Sequence, residues 1–196
     1  MSNAFLERWL EEVVLSPGAT GIRDAAEARS ALLDDALRAV PIVERESGPV
    51  IDVGSGGGTP GVPLATVLSE RPFTLLDAQR RKCEFLERVA AGLENVTVVW
   101  GRAEQQETDV FGVALAKALA KPPVAAELCL PLVRPGGVAV LWVGPGVDTS
   151  PVAKMAEMLA SSLEDDCDGL LVLRKLAPTP AGFPRRPGMA KKRPLA

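Results

Sequence analysis

Residues 50–61 read Val50-Ile51-Asp52-Val53-Gly54-Ser55-Gly56-Gly57-Gly58-Thr59-Pro60-Gly61. Apolar β-formers lead into an acid and then a glycine cluster, the pattern of a buried strand that ends in a loop where backbone approaches a ligand closely. Without a Cβ, Gly54, Gly56 and Gly58 can take φ > 0 and leave bare N–H groups facing outward. Asp52 two residues before the first glycine repels a pyrophosphate and suits a cationic ligand, such as the sulfonium and ammonium of S-adenosylmethionine. Candidate cofactor-binding residues in this stretch are Asp52, Gly54, Ser55, Gly56 and Gly58. Gly56 to Gly61 also satisfies the dinucleotide pattern G-x-G-x-x-G. Pro60 and Pro63, however, lack the N–H donors a phosphate wants. A Gly-rich turn with no ligand is the third reading, and a buried acid followed by four glycines is a costly way to make one.

Outward from this loop, strand and helix patterns alternate. Strands are predicted at Val50–Val53, Phe73–Asp77, Val96–Trp100, Phe111–Leu115, Val138–Val143 and Leu170–Leu176. Helices are predicted near 63–69, 79–91 (with Gly92 as C-cap), 123–133 and 150–163, the last opened by Ser150-Pro151. The βαβαβ order predicts an α/β fold with a doubly wound, mostly parallel sheet, whose ligands bind at strand carboxyl ends where strand order reverses. Two helices precede it, over residues 4–15 and 25–40. The expected organisation is an N-terminal helical extension (1–45), a main domain (46–176) and a basic, Pro-rich, extended tail (177–196).

The chain has 196 residues, 47% of them hydrophobic, enough for one domain with a full core. No apolar run reaches the ~20 residues of a membrane span. No secretory leader is read at the start, so a cytoplasmic location is expected. Cys83, Cys129 and Cys167 are odd in number and far apart, which suggests reduced core thiols, and no metal site is expected. Histidine and tyrosine are absent. That excludes Ser-His-Asp hydrolysis, His-ligated metals and imidazole base catalysis, so the chemistry must need little proton transfer. The tail holds five basic residues (Arg185, Arg186, Lys191, Lys192, Arg193) and no acid, leaving a net −8 on the other 176 residues against −3 for the whole chain. A basic tail on an acidic body suggests a polyanion partner; a merely solubilising tail has the same composition.

Asp77 ends the second strand, 16 residues after Gly61, where an acid can accept both ribose hydroxyls of an adenosine. A carboxylate there also serves as a helix N-cap. After the third strand, Gly101-Arg102-Ala103-Glu104 puts backbone at Ala103 and Glu104 beside the place an adenine takes in this architecture. Arg102 with Glu104 as a solvated ion pair is the alternative. Arg80, Arg81 and Lys82 open a helix, where the macrodipole disfavours cations. The placement hints at phosphate binding, or at a solvated face shared with Glu84, Glu87 and Arg88.

Taken together, these residues resemble the RsmG (GidB) family, bacterial enzymes that methylate guanine N7 in 16S ribosomal RNA. The resemblance runs from about Thr20 to Leu195. It rests on Asp52 to Leu64 against D-V-G-[ST]-G-x-G-x-P-G-x-P-L, on Leu75-Leu76-Asp77, on Arg81-Lys82-Cys83-Glu84-Phe85-Leu86, on Asn95-Val96, on Arg102-Ala103-Glu104 and on the Pro/Lys/Arg tail. It implies a class I, Rossmann-like fold and S-adenosylmethionine as cofactor. It places donor contacts on Gly54, Thr59, the Ala103–Glu104 backbone and Lys117, the last standing where the family has an arginine. It also implies ribosomal RNA or the small ribosomal subunit as partner, with neither membrane nor DNA, and a monomer. The departures lie on the substrate side. Ala31-Leu32-Leu33-Asp34-Asp35 replaces His-x-x-Asp-Ser, Gly112 replaces an aspartate, and Trp142 falls in a segment that loses a lysine. Methylation of guanine N7 uses a free lone pair, so no catalytic general base is expected. Methylation of a protein or small molecule, and a non-catalytic binding role, remain as other readings.

Overall fold

The computed structural model describes residues 2–144, 146–167 and 169–196. Helix α1 (Ser2–Leu15) buries Leu6, Trp9, Leu10 and Val13 along one stripe, as their i, i+3, i+4, i+7 spacing predicts. The helix expected over 25–40 forms in pieces. These are α2 (Ala25–Ala28), a π-helical stretch at Arg29–Asp34, α3 (Asp35–Leu37) and then α4 (Val40–Arg45). A π-helical turn is wider than an α-turn and is held by its surroundings, so periodicity alone does not reveal it.

The sheet follows. Strand β1 (Val50–Val53) leads through the Gly loop into α5 (Gly61–Val67), and β2 (Phe73–Asp77) into α6 (Arg80–Val89). Next come β3 (Val96–Trp100), β4 (Phe111–Lys117), α7 (Pro122–Cys129), β5 (Val133–Trp142) and α8 (Ser150–Met158). Strands β6 (Ser161–Cys167) and β7 (Leu170–Lys175) and helix α9 (Met189–Lys192) complete the chain. Seven strands form one sheet in the order β3-β2-β1-β4-β5-β7-β6. The first five are parallel, while β7 is antiparallel to both β5 and β6. This is the predicted doubly wound, mostly parallel α/β fold. Strand order reverses beside β1, and the Gly loop leaves its carboxyl end there.

The strands bury both faces, so alternate residues feed different cores. Ile51, Val53, Ala114, Ala116, Ala139 and Leu141 pack with α7 and α8. Val50, Phe73, Val113, Leu115, Val138 and Val140 pack on the opposite face with α4 and α5. A third cluster joins α1 to Val62, Leu75 and Leu86.

Three expectations are corrected. The helix predicted to reach 163 stops at Met158, and residues 161–167 form the edge strand β6. Ser-Ser-Leu-Glu-Asp-Asp-Cys has little β-propensity, but an edge strand tolerates charge, and Arg174 of β7 pairs with Glu164 at 2.8 Å. Nor is the tail extended. Lys175, at the end of β7, is fully buried; its ammonium donates to Leu130 O (3.1 Å) and Thr179 Oγ1 (2.9 Å) and lies 3.8 Å from Asp109. Farther on, Arg185 grips Glu127 of α7 through two bonds of 2.6 and 2.7 Å, and Ala190 is buried. A Pro-rich segment cannot build its own ladder, yet an acid as buried as Glu127 needs a cation, and the tail provides it. Gly92 is also not a C-cap: α6 ends at Val89, and Ala90 is its C-cap, with φ −94.

Candidate active site

The Gly loop has the backbone its glycines predict, with φ of +77 at Gly54, +56 at Gly56 and +98 at Gly58. Gly54 N and Ser55 N both donate to Leu76 O, at 2.7 and 3.0 Å, hooking the loop onto β2. From below, the indole of Trp9 donates to Gly57 O at 3.0 Å, so α1 pins the loop to the body.

The side chains of this loop turn inward, which corrects three expectations. Asp52 is 1% exposed and does not reach outward to a cation. Its Oδ2 accepts from Gly61 N at 3.0 Å, satisfying an orphan donor at the start of α5. Burial pushes its pKa up to about 7, against the opposing pull of the Gly61 and Ser55 hydrogen bonds. Ser55 Oγ donates to Asp52 O at 2.9 Å and is equally buried. The Thr59 hydroxyl donates to Leu32 O at 2.7 Å in the π-helical stretch. What the loop offers outward is backbone, because its polar side chains satisfy the fold's own buried groups.

Beyond Gly54 lies a cleft of about 80 Å³, lined by Val53, Gly54, Leu76, Ala78, Gly101–Glu104, Leu119, Leu128, Gly188 and Lys191. Its walls are largely apolar, and Ala103 and Glu104 border it as expected. Ala118 takes φ +53 just after β4, a conformation that costs a non-glycine residue about 1 kcal/mol. The kink falls between Leu119, which lines the cleft, and Lys117, which does not. Leu119 was not anticipated, since an apolar residue after a strand carries no signal of its own. Asp77 lies between Leu76 and Ala78, which line the cleft, and is 5% exposed. Its Oδ2 accepts from Gly56 N (3.1 Å) and its Oδ1 from Gln79 N (2.8 Å), which makes it a clasp between the Gly loop and α6. Each oxygen keeps a lone pair for a ligand. The capping and ligand readings of Asp77 are therefore compatible.

Lys117 turns away from this cleft to the π-helical stretch, where it pairs with Asp35 and donates to Ala31 O. Trp142 Nε1 donates to Asp35 O at 3.2 Å. Ala31, Asp35 and Trp142, three of the substrate-side departures, thus meet Lys117 at one place beside the carboxyl ends of β4 and β5. Gly112 has a separate reason: a Cβ there would overlap the carbonyl oxygen of Ser47.

A second groove, with Gly56 on its margin, runs between the end of α1 and the start of α6. Ser16–Ala19, Gly56, Gln79, Arg81, Lys82, Phe85 and Arg88 line it, with Glu84. Arg81 donates to Pro17 O at 3.1 Å, and Lys82 lies 3.9 Å from Asp77. Arg80 pairs with Glu84 and sits over the exposed ring of Trp100, 5.6 Å from its centroid. In the tail, Arg185 is committed to Glu127, while Arg186, Lys192 and Arg193 are exposed.

Comparison with known proteins is consistent with this geometry. The family model GidB, described as rRNA small subunit methyltransferase G, matches residues 5–166. A "Ribosomal RNA small subunit methyltransferase G" from Carboxydothermus hydrogenoformans is 38% identical over 164 residues, covering 74% of this chain and 70% of that protein. One of the same name from Moorella thermoacetica is 33% identical over 196 residues, covering 90% and 82%. Among solved structures, M. jannaschii TYW2 in complex with AdoMet superposes with a TM-score of 0.55 at 16% identity, over 71% of each chain; at that identity the likeness is one of fold.

Proposed function

This chain belongs to the rRNA small subunit methyltransferase G family, and from that premise we propose that it transfers a methyl group from S-adenosylmethionine to guanine N7 of small-subunit (16S) ribosomal RNA. The observation that carries the placement of the donor is the Gly54–Gly58 backbone at the switch point, opening onto an apolar cleft lined by Leu76, Ala78, Ala103 and Glu104, with Asp77 between the first two in sequence. The donor set fits. Bare backbone at Gly54 permits close approach, Leu76, Ala78, Leu119 and Leu128 offer an apolar slot of the kind a purine fills, and Asp77 retains acceptor capacity for ribose hydroxyls.

When bound, the donor supplies a methyl group on a cationic sulfur. The protein's own task is to hold: Gly54 and its neighbours seat the donor, Asp77 fixes its ribose, and the Ala103–Glu104 backbone reads the purine edge. Guanine N7 attacks with a lone pair that carries no proton, so no residue has to act as a base, and alignment supplies the acceleration. A chain without histidine suits this chemistry.

On the acceptor side, the basic groove with Arg81 and Lys82, the neighbouring Arg80, and the exposed Arg186, Lys192 and Arg193 would follow RNA phosphates. The Lys117–Asp35 pair fastens the π-helical stretch to the end of β4 and takes no direct part in donor binding. We further propose that the protein acts as a monomer in the cytoplasm, where ribosomal RNA is found. No helix among the described residues is long and apolar enough to cross a membrane.

The test is transfer from labelled S-adenosylmethionine to small ribosomal subunits that lack the modification, followed by nucleoside mass spectrometry. N7-methylguanosine at one site is the expected product. A methyl group on another base atom, or no RNA product from a chain that binds the donor, would overturn the proposal.

A further inference from the structure

We infer that the C-terminal segment is a wall of the methyl-donor cleft, with Gly188 and Lys191 belonging to the donor site; this rests on the placement of the donor proposed above. The basic composition of residues 185–193 points only to a polyanion, yet the structure folds the segment against the mouth of the cleft. Gly188 and Lys191 line it together with Gly54 and Leu76.

Three ties hold the wall. Arg185 grips Glu127 of α7, an acid only 4% exposed, through two parallel bonds of 2.6 and 2.7 Å. Bidentate arginine–carboxylate pairs of this kind fix geometry as well as charge. Gly188 N donates to Glu104 Oε1 at 2.7 Å. Lys191 Nζ donates to Leu119 O at 3.2 Å. The last two ties end on residues that themselves line the cleft, so the segment is fastened to the donor site and not to a remote part of the body. Arg185 Nη1 also donates to Arg193 O at 3.0 Å, closing the segment on itself, and Ala190 packs into the core beside α7. The Lys191 stem gives the cleft an apolar flank while its ammonium stays at the rim.

A tail that served only as an RNA arm would leave donor affinity untouched when no RNA is present. Calorimetric titration of S-adenosylmethionine into RNA-free protein separates the two roles. The variants are the full chain, a chain ending at Pro184, Lys191→Met and Leu119→Trp. Ending the chain at Pro184 keeps the Lys175–Thr179–Asp109 network and Phe183, and it uncovers Glu127 to water, so no buried charge is left without a partner. Donor affinity is expected to fall tenfold or more in the shortened chain and about threefold in Lys191→Met, with the melting temperature of ligand-free Lys191→Met unchanged. Leu119→Trp fills the cleft and should abolish binding. Full affinity in the shortened chain together with loss in Leu119→Trp would overturn the inference while leaving the donor site in place. Full affinity in Leu119→Trp would instead overturn the placement of the donor. Should the shortened chain fail to fold, wild-type affinity in both Lys191→Met and Glu104→Ala overturns the inference.

Discussion

Asp52 and Asp77 are both carboxylates at the carboxyl ends of neighbouring strands, and burial divides their work. Asp52 is sealed beneath the loop with a pKa pushed up to about 7. An acid whose folded pKa lies above its unfolded value binds protons more tightly in the native state, so its contribution to stability declines as pH rises from about 4 to about 7. Asp52→Asn keeps an acceptor for Gly61 N and removes that titration. Melting curves of wild type and Asp52→Asn should diverge over this window, the wild type losing up to about 4 kcal/mol relative to the variant. Parallel curves would show an ordinary carboxylate. Asp77 lies between two residues that line the cleft and joins the Gly loop to α6, so Asp77→Ala should weaken donor binding about 100-fold by calorimetry. It should also lower stability by about 1–3 kcal/mol, through the unsatisfied N–H groups of Gly56 and Gln79. Unchanged affinity would remove Asp77 from the donor site.

At the scale of elements, the Gly loop is held by neighbours distant in sequence. Helix α1 reaches it through Trp9, whose indole binds Gly57 O. Trp9→Phe retains most of the packing and strands a buried carbonyl. It should cost about 1–3 kcal/mol in denaturant unfolding and weaken donor binding through a looser loop. Wild-type affinity at wild-type stability would show that the loop holds its shape alone. The π-helical stretch is fastened the same way, with Thr59, Lys117 and Trp142 donating to Leu32, Ala31 and Asp35 carbonyls. Thr59→Val should therefore lower turnover on RNA while leaving donor affinity within about twofold. A larger loss of donor affinity would return Thr59 to the donor site.

Over the whole molecule, charge is divided between an acidic body and two basic surfaces, one at the start of α6 and one on the docked tail. Each phosphate contact to single-stranded RNA contributes about 0.7 to the slope of log affinity against log salt. Replacing Arg186, Lys192 and Arg193 together with alanine should reduce that slope by about two in filter-binding titrations, with donor affinity kept within about twofold, because the Arg185–Glu127 latch remains. An unchanged slope would leave the α6 groove as the RNA surface.

The alternation of strand and helix patterns, the glycine string and the acid ending β2 were all legible in the chain. They are local matters: period, steric freedom and spacing within a dozen or so residues. That sufficed for the parallel α/β fold, the switch-point loop and the positive φ at Gly54, Gly56 and Gly58. Edge strand β6 was hidden because its first residues continue the helical pattern of α8 and the rest are acidic, and its pairing with β7 comes from the sheet. The direction of Asp52, Ser55 and Thr59 was hidden as well, since a polar side chain beside a ligand loop satisfies whichever unpaired group is nearer, and here those groups belong to α5, β1 and the π-helical stretch. Composition showed five cations in the tail, but only the fold revealed that one of them answers a buried acid on α7 and another lines the cleft beside Gly54. A charge declares its sign in the sequence; its partner is set by which distant segments the core brings within hydrogen-bond reach.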